Sequence, residues 1–135
     1  MTAEKTRSVI QQWVDALNTA DHTTLFALAA PDATHWISGL EEKIPYAGSL
    51  PYAERLKQMA PIFGQMKSMK VKVLGLTVEG DTGVLEVESR GEGPNEGQVY
   101  ENNVMMKFVV KEEKIQSIRE YVDFLALFKY LGKEL

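Results

Sequence analysis

Glu120 is the residue of this chain best placed to do chemistry. It stands between Ile118 and Val122 in a run from Lys114 to Asp123 that reads as a strand. Strand alternation puts Ile118, Glu120 and Val122 on one face and Arg119, Tyr121 and Asp123 on the other. A carboxyl on an otherwise apolar face is disfavoured in its charged form once that face is covered. In a pocket, beside Ile118, Val122, Met106 and Phe108, it suits proton transfer. On a sheet edge it is an ordinary surface glutamate. Asn102 shares a face with Tyr100, Val104 and Met106. In a pocket it would hydrogen-bond a ligand carbonyl or hydroxyl; otherwise it satisfies strand-end backbone. His35 and Trp36 fall on opposite faces of a short strand, so one of them points inward. As a neutral imidazole His35 would donate to, or take a proton from, a substrate oxygen; its bland reading is a satisfied core or surface histidine. With the opposite strand register, the proton shuttle would pass to Asp123 or Tyr121. Asp123 also opens a helix, where an aspartate serves as an N-cap.

Other chemistries find no motif. Two histidines 13 residues apart, His22 and His35, and no cysteine give no metal-ligand spacing and no thiolate or disulfide. His22 precedes a helix and reads as a solvated cap-region residue. Gly91, Gly93 and Gly97 lack the Lys-Ser/Thr ending of a phosphate loop. Neither Ser38 nor Ser89 sits in an elbow-turn pattern. No metal and no cofactor is expected. The formal charge of −4, with no basic block, argues against nucleic acid as the main partner. No stretch approaches the ~20 apolar residues of a membrane span, and the first residues lack an apolar signal core. A cytoplasmic home is expected.

The elements that position these groups follow from periodicity. The spacing of Val9, Ile10, Trp13, Val14 and Leu17 predicts an amphipathic helix over 3–18, capped by Thr2. A short helix is predicted over 23–30, stopped by Pro31, then a strand over 33–38. The stretch 41–50, punctuated by Pro45 and Gly48, reads as irregular. A third helix is predicted over 51–65, with Leu56, Met59, Ile62 and Phe63 buried and Pro61 as a kink. Strands follow over 70–79, 83–90, 98–110 and 114–123, then a helix over 124–131. Val71, Val73, Gly75 and Thr77 share one side of the first of these strands. Helices first and strands later predict an α+β domain with a mainly antiparallel sheet. Val104 to Val109 is apolar on both faces, and a strand covered on both sides needs a partner beyond its own helices. A homodimer through the outer sheet face is expected, with Arg119 and Tyr121 on that side.

Several segments carry a family resemblance. They are Gly97-x-x-Tyr100-x-Asn102, Lys114-Ile115 and Arg119-Glu120-Tyr121-Val122-Asp123, with Trp13 to Leu17, Pro31 to Trp36 followed by Gly39, and Pro45-Tyr46-Ala47-Gly48. In order and spacing they resemble the nuclear transport factor 2-like superfamily, in its ketosteroid isomerase and SnoaL-type polyketide cyclase group. The resemblance implies one domain over 1–135, a cone-shaped sheet packed on N-terminal helices around a central pocket. It implies Glu120, His35 and Asn102 as catalytic groups. The pocket wall would come from Trp13, Val14 and Leu17 on the first helix, Tyr46, Met59 and Phe63, and the strand residues Ser89, Val104, Met106, Ile118 and Val122. The expected ligand is a small apolar molecule with a carbonyl or hydroxyl. The expected activity is isomerase, cyclase or dehydratase chemistry, with a non-catalytic ligand-binding or accessory subunit as the alternative. Limonene-epoxide hydrolases of this fold carry an Arg-x-Asp pair where this chain has Ser89 and Gly91, which argues against their mechanism. Their last-strand carboxylate falls on Glu120.

Overall fold

In the computed structural model, which describes residues 2–133, α1 spans Ala3–Asn18. Thr2 caps it, its hydroxyl accepting the Lys5 N–H at 3.2 Å. The apolar stripe of Val9, Ile10, Trp13 and Val14 is buried. At the far end the Asn18 amide accepts from Val71 N at 2.7 Å and donates to Val71 O at 3.0 Å, stapling helix to sheet. α2 is only His22–Ala27, capped by Asp21. Hydrogen bonds from the Thr24 hydroxyl and then its N–H hold the Asp21 carboxyl below its ordinary range.

The predicted helix over 23–30 stops early because β1 starts early, at Ala29, and runs to Ile37. Ala29 lies opposite Ile115 in a parallel pairing with β6 (Lys114–Tyr121), and the register shifts before Thr34. Pro31, which has no N–H for a ladder, falls in that irregular stretch. The stretch read as irregular contains a short edge strand, β2 (Gly48–Pro51), antiparallel to β1. α3 (Tyr52–Phe63) takes Pro51 as its N-cap and runs two residues beyond Pro61.

A four-strand meander follows: β3 (Ser68–Glu79), β4 (Thr82–Glu92), β5 (Val99–Lys111) and then β6, antiparallel throughout. The full order is β2-β1-β6-β5-β4-β3, a curved sheet that does not close. A bulge between Val73 and Gly75 resets the alternation of β3. Leu76 therefore packs on the core in place of Thr77, and Val73 and Leu74 are half exposed. α4 (Phe124–Leu131) begins at Asp123, whose carboxylate accepts Leu125 N at 2.9 Å. It ends at Gly132 in the left-handed conformation that favours glycine, φ +69°.

Inward alternation on β4 and β5 delivers Leu85, Val87, Val104, Met106, Phe108 and Val110 to the core, where Trp13 meets Phe108 edge-on at 5.1 Å. Gly83 lets α1 approach this wall, since a Cβ there would lie 2.3 Å from Ile10 Cδ1. No helix among the described residues is long and apolar enough to cross a membrane.

Candidate functional site

The concave face of the sheet and the helices that cover it leave a cavity of about 430 Å³. That lies within the range of small-molecule sites. α1 and α2 give it Trp13, Leu17 and Leu25; α3 gives Leu56, Met59 and Phe63. The sheet side is Val71, Val87, Val104, Met106 and Val122, and Met66 and Met69 complete the wall beyond α3. Thioether side chains adapt to irregular ligands, so this wall is apolar without being rigidly shaped.

The parallel pairing of β1 with β6 sets the polar centre. It places His35 opposite Ile118 and Ile37 opposite Glu120, so the inward side chains of His35 and Glu120 are diagonal neighbours. His35 Nε2 lies 2.8 Å from Glu120 Oε1. The pair lines the cavity with the Glu120 side chain 19% exposed. Among the described residues, Glu120 Oε2 has no hydrogen-bond partner. Trp36 points the other way and carries the Arg119 guanidinium on its ring at 3.8 Å. The carboxyl is therefore not the solitary buried acid expected from its apolar flanks: a neighbouring strand supplies an imidazole partner.

Arg55 sits behind this pair, only 1% exposed. Its Nη2 donates to His35 O at 3.1 Å and Gly48 O at 2.6 Å, and its Nη1 to Tyr46 O at 2.9 Å and Gln58 Oε1 at 2.6 Å. One guanidinium thus fixes β1, β2 and the loop between them. Burial pulls its pKa down, and the charge of Glu120 opposes that loss. Nothing in the reading of the sequence singled out Arg55, although a signal existed. Tyr52, Arg55, Met59 and Ile62 repeat at helical spacing, so the arginine stands in an apolar stripe.

Two further inward networks surround the cavity. Trp13 Nε1 donates to Tyr52 Oη at 3.1 Å, and Tyr52 Oη donates to Leu25 O at 2.8 Å. Asn102 Nδ2 donates to Tyr100 Oη at 2.8 Å and to Asp123 O at 3.0 Å. Both tyrosines line the cavity, and burial raises both phenols, Tyr52 to about 12.

Of the residues expected at the site, Glu120, His35, Trp13, Leu17, Tyr46, Met59, Phe63, Ser89, Val104, Met106 and Val122 line the cavity. Three do not. Val14 lies on the part of the α1 stripe that packs into the core, and Ile118 is fully buried between strands and helices. Asn102 faces inward, but its amide is spent on Tyr100 and the backbone of Asp123. His22, read as a solvated cap residue, is exposed yet contributes to the cavity rim, and Asp21 does the capping. Asp123 caps α4, its side chain outside the lining.

A sequence model of the SnoaL-like domain family matches residues 10–118. No curated protein matches the chain's sequence. Several solved structures share the fold. A SnoaL-like polyketide cyclase candidate from Jannaschia sp. CCS1 superposes with a TM-score of 0.79 at 15% identity, over 98% of this chain and 95% of that one. An LEH-like epoxide hydrolase from M. tuberculosis gives 0.75 at 17% identity, over 96% and 91%. A nuclear transport factor 2-like protein from Burkholderia xenovorans LB400 gives 0.72 at 22% identity, over 96% and 98%. At these identities the likeness is one of fold.

Proposed function

Since the chain belongs to the SnoaL-like domain family, we propose that it is a small-molecule pocket protein acting by cofactor-free acid–base chemistry on an apolar carbonyl compound. The observation that carries this reading is the Glu120–His35 pair, 2.8 Å apart in the wall of an otherwise apolar cavity. Glu120 Oε2 is the base. It takes a proton from the carbon beside the carbonyl, the C–H electron pair moves toward that carbonyl, and an enolate forms. Return of the proton at another carbon is an isomerisation; loss of a β-hydroxyl, which leaves as water with the proton from Glu120, is a dehydration; attack of the enolate carbon on a second carbonyl, whose alkoxide oxygen takes that proton, is a cyclisation. His35 orients the carboxylate through Oε1, and the low-polarity walls strengthen every interaction in the site. Epoxide opening by two opposed carboxylates has less support, because Glu120 is the only carboxylate lining the described cavity.

The test is α-carbon deuterium exchange, followed by NMR on a panel of apolar cyclic ketones. Wild type accelerates exchange, and Glu120→Gln slows it about 10²–10⁴-fold while ligand binding persists. Ketones that bind without exchange in wild type would overturn catalysis in favour of a second reading, a non-catalytic ligand-binding or accessory subunit. That reading draws on the polar neighbours of the pair being already engaged: Asn102 with Tyr100, Tyr52 with Trp13, Arg55 with backbone.

The outer sheet face supports assembly as a homodimer. Met105 and Tyr121 are each nearly half exposed there, beside Val84, Glu86 and Lys107 in a shallow depression. A patch carrying both an acid and a base around an apolar centre is self-complementary under twofold symmetry.

A further inference from the structure

Ser89 is a polar residue of the cavity wall with no partner among the described residues. On β4 the inward side chains run Leu85, Val87, Ser89, and the two before it are apolar and buried. Ser89 is itself 8% exposed and lines the cavity. Its neighbours across the ladder are Val71 on β3 and Asn102 on β5. Val71 has no polar side-chain atom, and the Asn102 amide is engaged by Tyr100 and the backbone of Asp123. Among the described residues, the only fully enclosed side-chain nitrogen or oxygen without a hydrogen bond is Arg55 Nε. The Ser89 hydroxyl also lacks a hydrogen bond, so it is not enclosed, and it is open to a molecule in the space that Ser89 lines. Beyond it, Gly91 makes room for two methionines of the wall: a Cβ there would lie 2.8 Å from Met66 Sδ and 3.1 Å from Met69 Sδ. In such apolar surroundings an unpaired hydroxyl is costly until something polar meets it.

Ser89 and Glu120 mark separate reaches of this wall. Ser89 stands level with Asn102 on β5, and Glu120 with Met106, four residues further on. Four residues are about 13 Å of strand and two strand spacings about 10 Å, so the Cα positions are about 16 Å apart on a flat sheet and closer on a curved one. Allowing for both side chains and one hydrogen bond, the gap suits a ligand whose two oxygens are about 10 Å apart. We propose that Ser89 is a second polar recognition point of the pocket, and that the ligand is an elongated apolar ketone with a hydroxyl at its far end. The placing of the ketone at Glu120 rests on the acid–base reading of the same pocket. Ser89 meets the ligand far from the reacting carbon, so its hydrogen bond is equally present before and during proton transfer. It therefore lowers KM and leaves kcat unchanged, a specificity role.

The experiment compares, by calorimetry, a cyclohexanone bearing a para-hydroxyphenyl group on the carbon opposite its carbonyl with the same ketone bearing a plain phenyl group. Wild type binds the hydroxylated ketone about 3–10-fold more tightly, the worth of one neutral hydrogen bond. Ser89→Ala removes that preference and leaves the affinity for the phenyl ketone unchanged. Equal binding of the two ketones by wild type overturns the assignment without any variant having to fold. So does a preference that survives Ser89→Ala. In both cases binding of the phenyl ketone still upholds the pocket. A preference that Ser89→Ala removes, in a protein that exchanges no α-deuterium, upholds Ser89 and removes the acid–base reading alone. If wild type binds neither ketone, the pocket reading falls and this assignment falls with it.

Discussion

Tyr52 spends both of its hydrogen-bonding directions inside the protein. It accepts from Trp13 and donates to Leu25 O, joining α1, α2 and α3 at one oxygen. Removing that oxygen strands a buried indole N–H and a carbonyl, so Tyr52→Phe is expected to cost about 1–3 kcal/mol at neutral pH. Its pH dependence has a definite sign. Burial raises the phenol from its ordinary 10.0 to about 12. The folded protein therefore holds this proton where the unfolded chain has lost it, and the contribution is complete below pH 10 and lost as pH climbs toward 12. Urea titrations of both proteins across this range should show the wild-type advantage shrinking above pH 10. A constant gap would contradict the assignment of that alkaline loss to Tyr52. The same residue scale is where sequence reading reached furthest and then stopped. Alternation separated His35 from Trp36 and Glu120 from Arg119 and Tyr121, the resemblance chose which of those faces is the inner one, and neither carries information on partners. That His35 meets Glu120, while Asn102 meets Tyr100 and Asp123, depends on side chains far apart in the chain.

At the scale of elements, the site depends on how closely α1 and β1 are held to the sheet. Gly83 is the contact point for α1. A methyl there would meet Ile10 Cδ1, in a side chain that is fully buried. Gly83→Ala should destabilise by about 1–3 kcal/mol through overpacking. Ile10→Val removes the obstructing carbon, so the double variant should lose less than the sum of the two single losses. Chemical denaturation of the four proteins forms the cycle, and strict additivity would place the clash elsewhere. The strands and long helices were legible because each keeps one period over many residues. Helix α1 and helix α4 start and stop where their stripes and caps indicate. The failures lie where pairing overrides local signals. Pro31 reads as a helix stop, yet it lies in a strand whose ladder is already irregular. The β2 segment is too short to announce itself and is a strand only because β1 offers it an edge. The bulge in β3 inverts the alternation at Gly75, a glycine inside the strand whose meaning as a bulge signal was not read.

For the whole molecule, the proposed homodimer would use the outer face of the sheet, opposite the face that lines the cavity. Met105 and Tyr121 are 45% and 48% exposed at the centre of that face. Sedimentation at micromolar concentration should give a dimer, and Met105→Asp, which places a carboxylate in the apolar centre, should give a monomer with the fold retained. A monomeric wild type would remove the homodimer proposal. The sequence by itself determined the α+β class, the division of β6 into one face with Glu120 and another with Arg119 and Tyr121, and the apolar character of β5. Those properties are periodic and local, written in alternation, helical stripes, caps and turns. Tertiary structure alone decided that β1 lies parallel against β6. This brings the imidazole of residue 35 to the carboxylate of residue 120, and it lets Arg55 fix the backbone behind them. Strand order and crossover pairing arise from closing long stretches of chain around one core, a cooperative choice that no short window of sequence contains.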